Sequence, residues 1–144
     1  MVDTPRHTYQ ILTKRADRMV GAIQQLALPL PANIWLGVSA ENQRYFDERV
    51  AWLACTEAMT RFVSAEPLLG AIDIGGYDDI LDWLIVGGES GSGRRPMELN
   101  WARSLRDQCQ EAGIAYFFKQ GNSHRPGGDS LLDGVEYRAF PGGE

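Results

Sequence analysis

Ile34-Trp35-Leu36-Gly37-Val38-Ser39-Ala40-Glu41 alternates two kinds of residue along one short segment. Successive side chains of an extended strand point to opposite faces, so Ile34, Leu36, Val38 and Ala40 share one face. Trp35, Gly37, Ser39 and, where the extended path continues, Glu41 share the other. The same second set returns downstream as Phe62, Ser64 and Glu66, and again as Trp83, Ile85, Gly87 and Glu89. Each time a large aromatic begins the strand, a Ser or Gly stands two residues before its end, and a glutamate occupies the C-terminal tip. Helical periods separate these runs, and alternating strands and helices are the pattern of a parallel sheet with crossover helices, the α/β class.

Working outward, a first strand is expected at residues 9–13 and a helix over 16–27, with Met19, Ile23 and Leu26 as its apolar stripe and Pro29 and Pro31 stopping it. A second helix is expected over about 42–58, with Phe46, Val50 and Leu53 on one face, and a third strand over 61–65. Residues 67–82 are irregular, broken by Gly70, Gly75 and Gly76, with a short helix at 78–81 the only regular element expected there. A fourth strand over 83–86 leads through Gly87-Gly88-Glu89-Ser90-Gly91-Ser92-Gly93-Arg94-Arg95-Pro96 to a helix over 100–112, striped by Trp101, Leu105 and Cys109. Asn100 is its expected N-cap and Gly113 its expected C-terminal stop. A fifth strand covers 115–119. Beyond Gln120 the composition turns to Gly, Pro and Ser, and a hairpin at Asp133-Gly134 is the one local structure expected in what reads as a surface flap.

Right-handed crossovers put consecutive helices on the same side when the strand order simply advances, as in a barrel. Five strands do not close one, and a doubly wound open sheet with helices on both faces is the alternative. The expected organisation is a parallel five-stranded βα half-barrel over residues 1–120 and an irregular tail over 121–144.

Of 144 residues, 44% are apolar and 23% charged, which is ordinary for a single domain with a real core. Fourteen basic against nineteen acidic residues leave a net charge of −5, which disfavours nucleic acid and anionic membrane as partners. No apolar run suits a membrane helix or a signal peptide, so a cytoplasmic protein is expected. Cys55 and Cys109 lie inside helical patterns, lack a second ligand at metal spacing, and read as small core residues; no metal site is expected. His7 and His124 have no partner at metal or triad spacing and are assigned no catalytic role.

The three glutamates carry the chemical reading. Active sites of parallel α/β folds gather at the C-terminal ends of strands, and Glu41, Glu66 and Glu89 share that position and one parity. They are the expected catalytic carboxylates, able to hold a cationic group or act as acid and base. Lys14 follows Gln10 and Leu12 in parity, and the fifth strand ends in Lys119, so these lysines would neutralise an anionic group. Ser39 and Ser64 lie beneath two of the carboxylates, where small residues leave room for a ligand. Gly91-Ser92-Gly93 before Arg94 and Arg95 suggests an anion cradle, although the spacing of a nucleotide fingerprint is missing. The competing reading places the carboxylates in exposed loops, favoured there only by nearby helix N-termini.

Several strings match a known family in order: Gln10-Ile11-Leu12-Thr13-Lys14-Arg15, Trp35-Leu36-Gly37-Val38-Ser39 with Glu41-Asn42-Gln43, Phe62-Val63-Ser64-Ala65-Glu66-Pro67-Leu68-Leu69-Gly70, Val86-Gly87-Gly88-Glu89-Ser90-Gly91, and Phe117-Phe118-Lys119-Gln120. Together they resemble the phage gene-product thirty-seven/sixty-eight family, a domain of unknown function, over residues 8–140. The resemblance implies a radical-SAM-like barrel, of which this chain is the C-terminal half, and full-length relatives that use S-adenosylmethionine and an iron–sulfur cluster. The cysteine-rich segment that the family carries upstream is missing here, so Met1 reads as an internal start or an artificial boundary and the C-terminal end as complete. No cofactor is expected in this chain, because two isolated cysteines do not reproduce a cysteine-bound cluster. The isolated chain is not expected to be active as an enzyme.

The functional expectation is a half-barrel supplying part of a pocket for an unknown small molecule. Its alternative is a noncatalytic assembly module that pairs through its inner sheet face. A nucleic-acid accessory role is the third and is opposed by the charge. An open half-barrel exposes Trp35, Phe62 and Trp83, so a homo-oligomer, or a missing N-terminal half, is the expected partner.

Overall fold

A computed structural model of the chain describes residues 4, 6–26, 29–125 and 127–142. Five strands, β1 (Tyr9–Thr13), β2 (Ile34–Ser39), β3 (Thr60–Ala65), β4 (Trp83–Gly87) and β5 (Ala115–Gln120), form one all-parallel sheet in the order β1-β2-β3-β4-β5. That order never reverses among the described strands, which gives no switch point of the doubly wound kind, and each strand lies beside the next in sequence, as successive strands of a β/α barrel do. Helices α1 (Ala16–Leu26), α2 (Gln43–Ala54) and α3 (Leu99–Ala112) alternate with the strands. Among the described residues no helix is long and apolar enough to cross a membrane.

One core explains the layering. Leu36, Val38 and Ala40 of the β2 segment, Val63 and Ala65 of β3, Leu84 and Val86 of β4, and Tyr116 and Phe118 of β5 pack in a single cluster with Phe46, Val50 and Leu53 of α2 and Ala102, Leu105 and Cys109 of α3. All belong to one strand parity, so the helices cover one face of the sheet. Burying each such aliphatic or aromatic side chain contributes about 1.5–3 kcal/mol. Between β3 and β4 no helix forms; Leu68, Ile72, Ile74 and Leu81 of that connection enter the same cluster and take the helix's place.

Several element ends differ from expectation. α2 stops at Ala54 rather than near residue 58, because the Cys55 and Thr56 N–H groups and the Thr56 hydroxyl all turn back to the carbonyls of its last turn. Cys55 is therefore an exposed C-cap residue and not a core cysteine, whereas Cys109 is buried. Residues 78–81 make hydrogen-bonded turns onto the Tyr77 carbonyl rather than a helix. α1 faces the core with Ala16 and Val20, flanked by Met19 and Ile23, and leaves Leu26 63% exposed; the expected end at residue 27 lies outside the described residues. α3 starts one residue before the expected N-cap Asn100, whose side chain instead accepts from Arg103. Gly113 ends α3 in the left-handed conformation, φ 72°, as expected.

The tail is not a simple surface flap. β6 (Leu131–Leu132) and β7 (Val135–Glu136) form the expected hairpin, with φ positive at both Asp133 and Gly134. Asp133 then accepts from Arg103 and Arg106, which pins the turn to α3. Beyond the hairpin, Tyr137 and Ala139 exchange backbone hydrogen bonds with Phe118 and Tyr116, covering the outer edge of β5. Phe140 crosses to the helix-free face and packs on Trp83, ring centroids 5.1 Å apart, and on Phe117 at 5.5 Å. Trp83 Nε1 donates to the Ala139 carbonyl at 2.9 Å.

The three aromatics expected on the inner face do meet there, Trp83 touching both Trp35 and Phe62. Phe62 and Trp83 are already buried within the chain, so less apolar surface is left open than an uncovered half-barrel face would leave. Gly37 makes this packing possible. A Cβ there would lie 2.3 Å from the Phe62 ring, which is itself fully buried and has nowhere to go. Gly37→Ala should therefore cost roughly 1–3 kcal/mol in urea melts, the usual range for overpacking, and the double variant Gly37→Ala/Phe62→Leu should recover part of it. A neutral Gly37→Ala would contradict this packing.

Candidate functional site

The strand parity that faces away from the helices carries polar residues to the C-terminal rim of the sheet. Ser39 and Ser64 are directly paired in the β2–β3 register, both are buried, and no hydrogen bond engages either hydroxyl among the described residues. Glu66 continues the Ser64 parity. Its carboxylate lies over Gly87 of β4, where a Cβ would come within 3.3 Å of it, and Oε2 accepts from Lys119 Nζ of β5 at 3.0 Å. The Glu66 side chain thus spans three strands. Glycine at position 87 leaves the path clear.

The rim backbone is stitched together. Leu69 N–H donates to the Glu41 carbonyl at 2.7 Å, Leu68 N–H to the Gly87 carbonyl at 2.8 Å, and Gly88 N–H to the Gln120 carbonyl at 2.9 Å. The turn between Leu68 and Glu66 contains a cis Glu66–Pro67 peptide. Carboxylates on so interconnected a rim are held in place before any ligand arrives, which is the arrangement that binding sites require.

Each expected carboxylate has its own cation. Glu41 is bonded by Lys14 and by Arg49 Nη1 at 3.1 Å, and the same Arg49 nitrogen donates to the Ser39 carbonyl at 2.7 Å. Burial works against charge on Glu41, but the Lys14 hydrogen bond, its own backbone N–H and the charges of Lys14 and Arg49 outweigh it, and the carboxyl titrates below its ordinary value. Glu89 forms a bidentate pair with Arg95, at 2.9 and 3.1 Å, and also accepts the Arg95 backbone N–H at 2.8 Å. The side-chain and backbone hydrogen bonds from Arg95 pull its carboxyl down to about 2. Among the described residues Glu66 has a single side-chain partner, Lys119, and that lysine side chain is 53% exposed.

Arg94 and Arg95 are both engaged within the chain. Arg95 holds Glu89, while Arg94 donates to the Gly91 carbonyl at 3.1 Å and faces the His124 ring at 3.2 Å, giving that histidine a neighbour that spacing alone does not show. Sequence reasoning missed Arg49. Its signal was a charged residue three positions after Phe46, at the margin of the buried stripe of α2, where an ion pair is needed to satisfy it. It also missed Gln120, buried and bridging the Gly88 carbonyl and the Gly127 N–H, which joins the glycine-rich loop to the tail.

A groove of about 360 Å³ opens on this face, with Glu66, Lys119 and Ser64 at its rim end and Leu12, Ile85, Phe117 and Phe140 along it. A somewhat larger groove of about 440 Å³ lies at the other end of the sheet, between Val20, Ile23, Leu30 and Cys55. We place the site in the first, because charged and hydroxyl groups converge there and strand C-termini supply it.

The chain belongs to the DUF5131 family, a family of proteins of unknown function, whose model matches residues 1–141. Comparison with curated proteins and with solved structures finds no match. Among the described residues no cluster of His, Cys, Asp and Glu is placed to hold a metal ion. The cysteines do not fit an iron–sulfur cluster either: Cys55 caps α2 at the surface, and Cys109 is buried under α3 with its thiol pushed up to about 12 by burial.

The ion pairs set the acid response. A depressed carboxyl contributes stability that is complete above its ordinary value of 4.5 and is lost as pH falls through its folded value, so the Glu89 contribution should disappear between about 4.5 and about 2. Glu41→Gln should cost about 1–3 kcal/mol at neutral pH, because Arg49 is left nearly buried without its counter-charge. Glu89→Gln, at an exposed pair, should cost clearly less. Urea melts at pH 7 and pH 3 check this. Equal costs, or a stabilising Glu41→Gln, would mean that repulsion and not pairing governs the rim.

Proposed function

We propose that this chain is the ligand-binding part of a β/α barrel of the radical-SAM-like kind, and that its C-terminal rim binds a small charged molecule. The Glu66–Lys119 pair carries the reading. Among the described residues it is single-contact, it is open to solvent, and Ser64, whose hydroxyl no protein group engages there, lies two residues before Glu66 on the same face and lines the same groove. Of the other two carboxylates, Glu41 is held by both Lys14 and Arg49 and Glu89 by a bidentate Arg95, and they serve to hold the rim, so Glu66 and Lys119 are the groups free to exchange each other for a ligand. Longer relatives of the phage type would supply the remaining strands, S-adenosylmethionine and the iron–sulfur cluster. This chain by itself binds and orients, in the cytoplasm.

A second reading is favoured by one observation. The outer edge of β5 is covered by the tail, whereas among the described residues β1 pairs only with β2, and Leu12 on it remains 49% exposed. An uncovered edge and an apolar inner face suit assembly with a second copy or with an N-terminal half.

Thermal melts with amino acids, polyamines, nucleotides, S-adenosylmethionine and divalent metals separate the two. A ligand at a hundredfold excess over its Kd adds about 2.7 kcal/mol, a shift of several degrees. The ligand reading predicts such a shift for a charged compound and its loss in Glu66→Gln and Lys119→Met. A Tm that rises with protein concentration and answers to none of these compounds would overturn it in favour of assembly.

A further inference from the structure

We propose that the groove below the rim takes an amphiphilic zwitterion of the α-amino-acid type, its ammonium on Glu66, its carboxylate on Lys119 and its apolar side chain along Ile85 and Phe117 toward Phe140. The inference rests on the rim reading above and names the ligand class.

Charge balance selects a zwitterion. Glu66 and Lys119 now neutralise each other at 3.0 Å. A lone anion would take Lys119 and leave Glu66 unpaired; a lone cation would do the reverse. A molecule bearing both groups replaces the pair by two new pairs and strands neither charge. The neighbouring pairs do not offer this exchange, since Arg95 grips Glu89 through two nitrogens and its backbone, and Arg49 is fixed to the Ser39 carbonyl as well as to Glu41.

The sheet register selects an apolar arm. Ser64, Ile85 and Phe117 form one row across β3, β4 and β5. Glu66, Gly87 and Lys119 stand two residues further along, so apolar surface begins roughly 7 Å below the charges. Ile85 and Phe117 are half-buried, and Phe140, 48% exposed and packed on Trp83 and Phe117, borders the groove away from the rim. The groove of about 360 Å³ is within the range that encloses a small ligand. Ser64, at the rim end, offers its hydroxyl to the head group.

Isothermal titration with glycine, alanine, 2-aminobutyrate, norvaline and norleucine tests both selections. Affinity should rise about fourfold for each added methylene, and norleucinamide and N-acetylnorleucine, each lacking one charge, should bind at least tenfold more weakly than norleucine. Lys119→Met and Glu66→Gln should remove the preference for the doubly charged compound while folding normally, as both side chains lie at the open rim. Glycine binding as tightly as norleucine would overturn the apolar arm and leave the charged rim standing. Failure of the whole series, with another charged class shifting the thermal melts, would overturn the zwitterion alone. Failure of every charged compound in both assays would remove the rim reading with it.

Discussion

Burial of one strand parity beneath α2, α3 and the irregular connection after β3 is the constraint on which the rest of this molecule depends. Leu36, Val38, Val63, Leu84, Val86 and Phe118 are at most 1% exposed, and all point the same way. A slip of one residue in any strand would send that strand's apolar set to the opposite face and its polar set into the core, so the register is specified by hydrophobic burial rather than by the polar residues. The inner face inherits its content from this choice. Ser39, Ser64, Glu66, Gly87 and Lys119 reach the rim because they alternate with residues that must be covered.

The inner face is then divided by its own packing. Toward the strand N-termini, Trp35, Phe62, Trp83, Phe117 and Phe140 form an aromatic cluster that uses the space over Gly37. Toward the C-termini, charges meet in pairs across neighbouring segments. Apolar groups at one end and compensated charges at the other make an amphipathic groove from a single alternating pattern. The tail strengthens the division, because it closes the edge of β5 with backbone hydrogen bonds and sets Phe140 against the aromatics.

Most of the sheet was legible in the sequence, since period two in residues 34–41 is a local signal that burial on one face enforces. The first strand matches its expected limits, and the third, fourth and fifth differ by one residue at one end. The Asp133-Gly134 turn was equally legible, because few residue pairs accept positive φ twice in succession. What stayed hidden was one local helix end and the long-range contacts. The end of α2 depends on Thr56 turning back to Leu53, the Arg49–Glu41 pair joins a helix to a strand tip, and the path of residues 137–140 is decided by the β5 edge and by Trp83. The rim glutamates were recognisable by parity, but not the cation that each one meets, and that pairing holds two of the carboxyls below their ordinary values.

Methyl NMR on the isoleucine and leucine residues during a norleucine titration tests the central claim most directly, because it locates the ligand without relying on any variant. The account predicts that Ile85 and Leu12 move in a saturable way, while Leu53 and Leu105, buried under the helices, stay where they are. Saturable shifts at Ile23 and Leu30, in the groove at the other end of the sheet, with Ile85 and Leu12 unmoved, would contradict it.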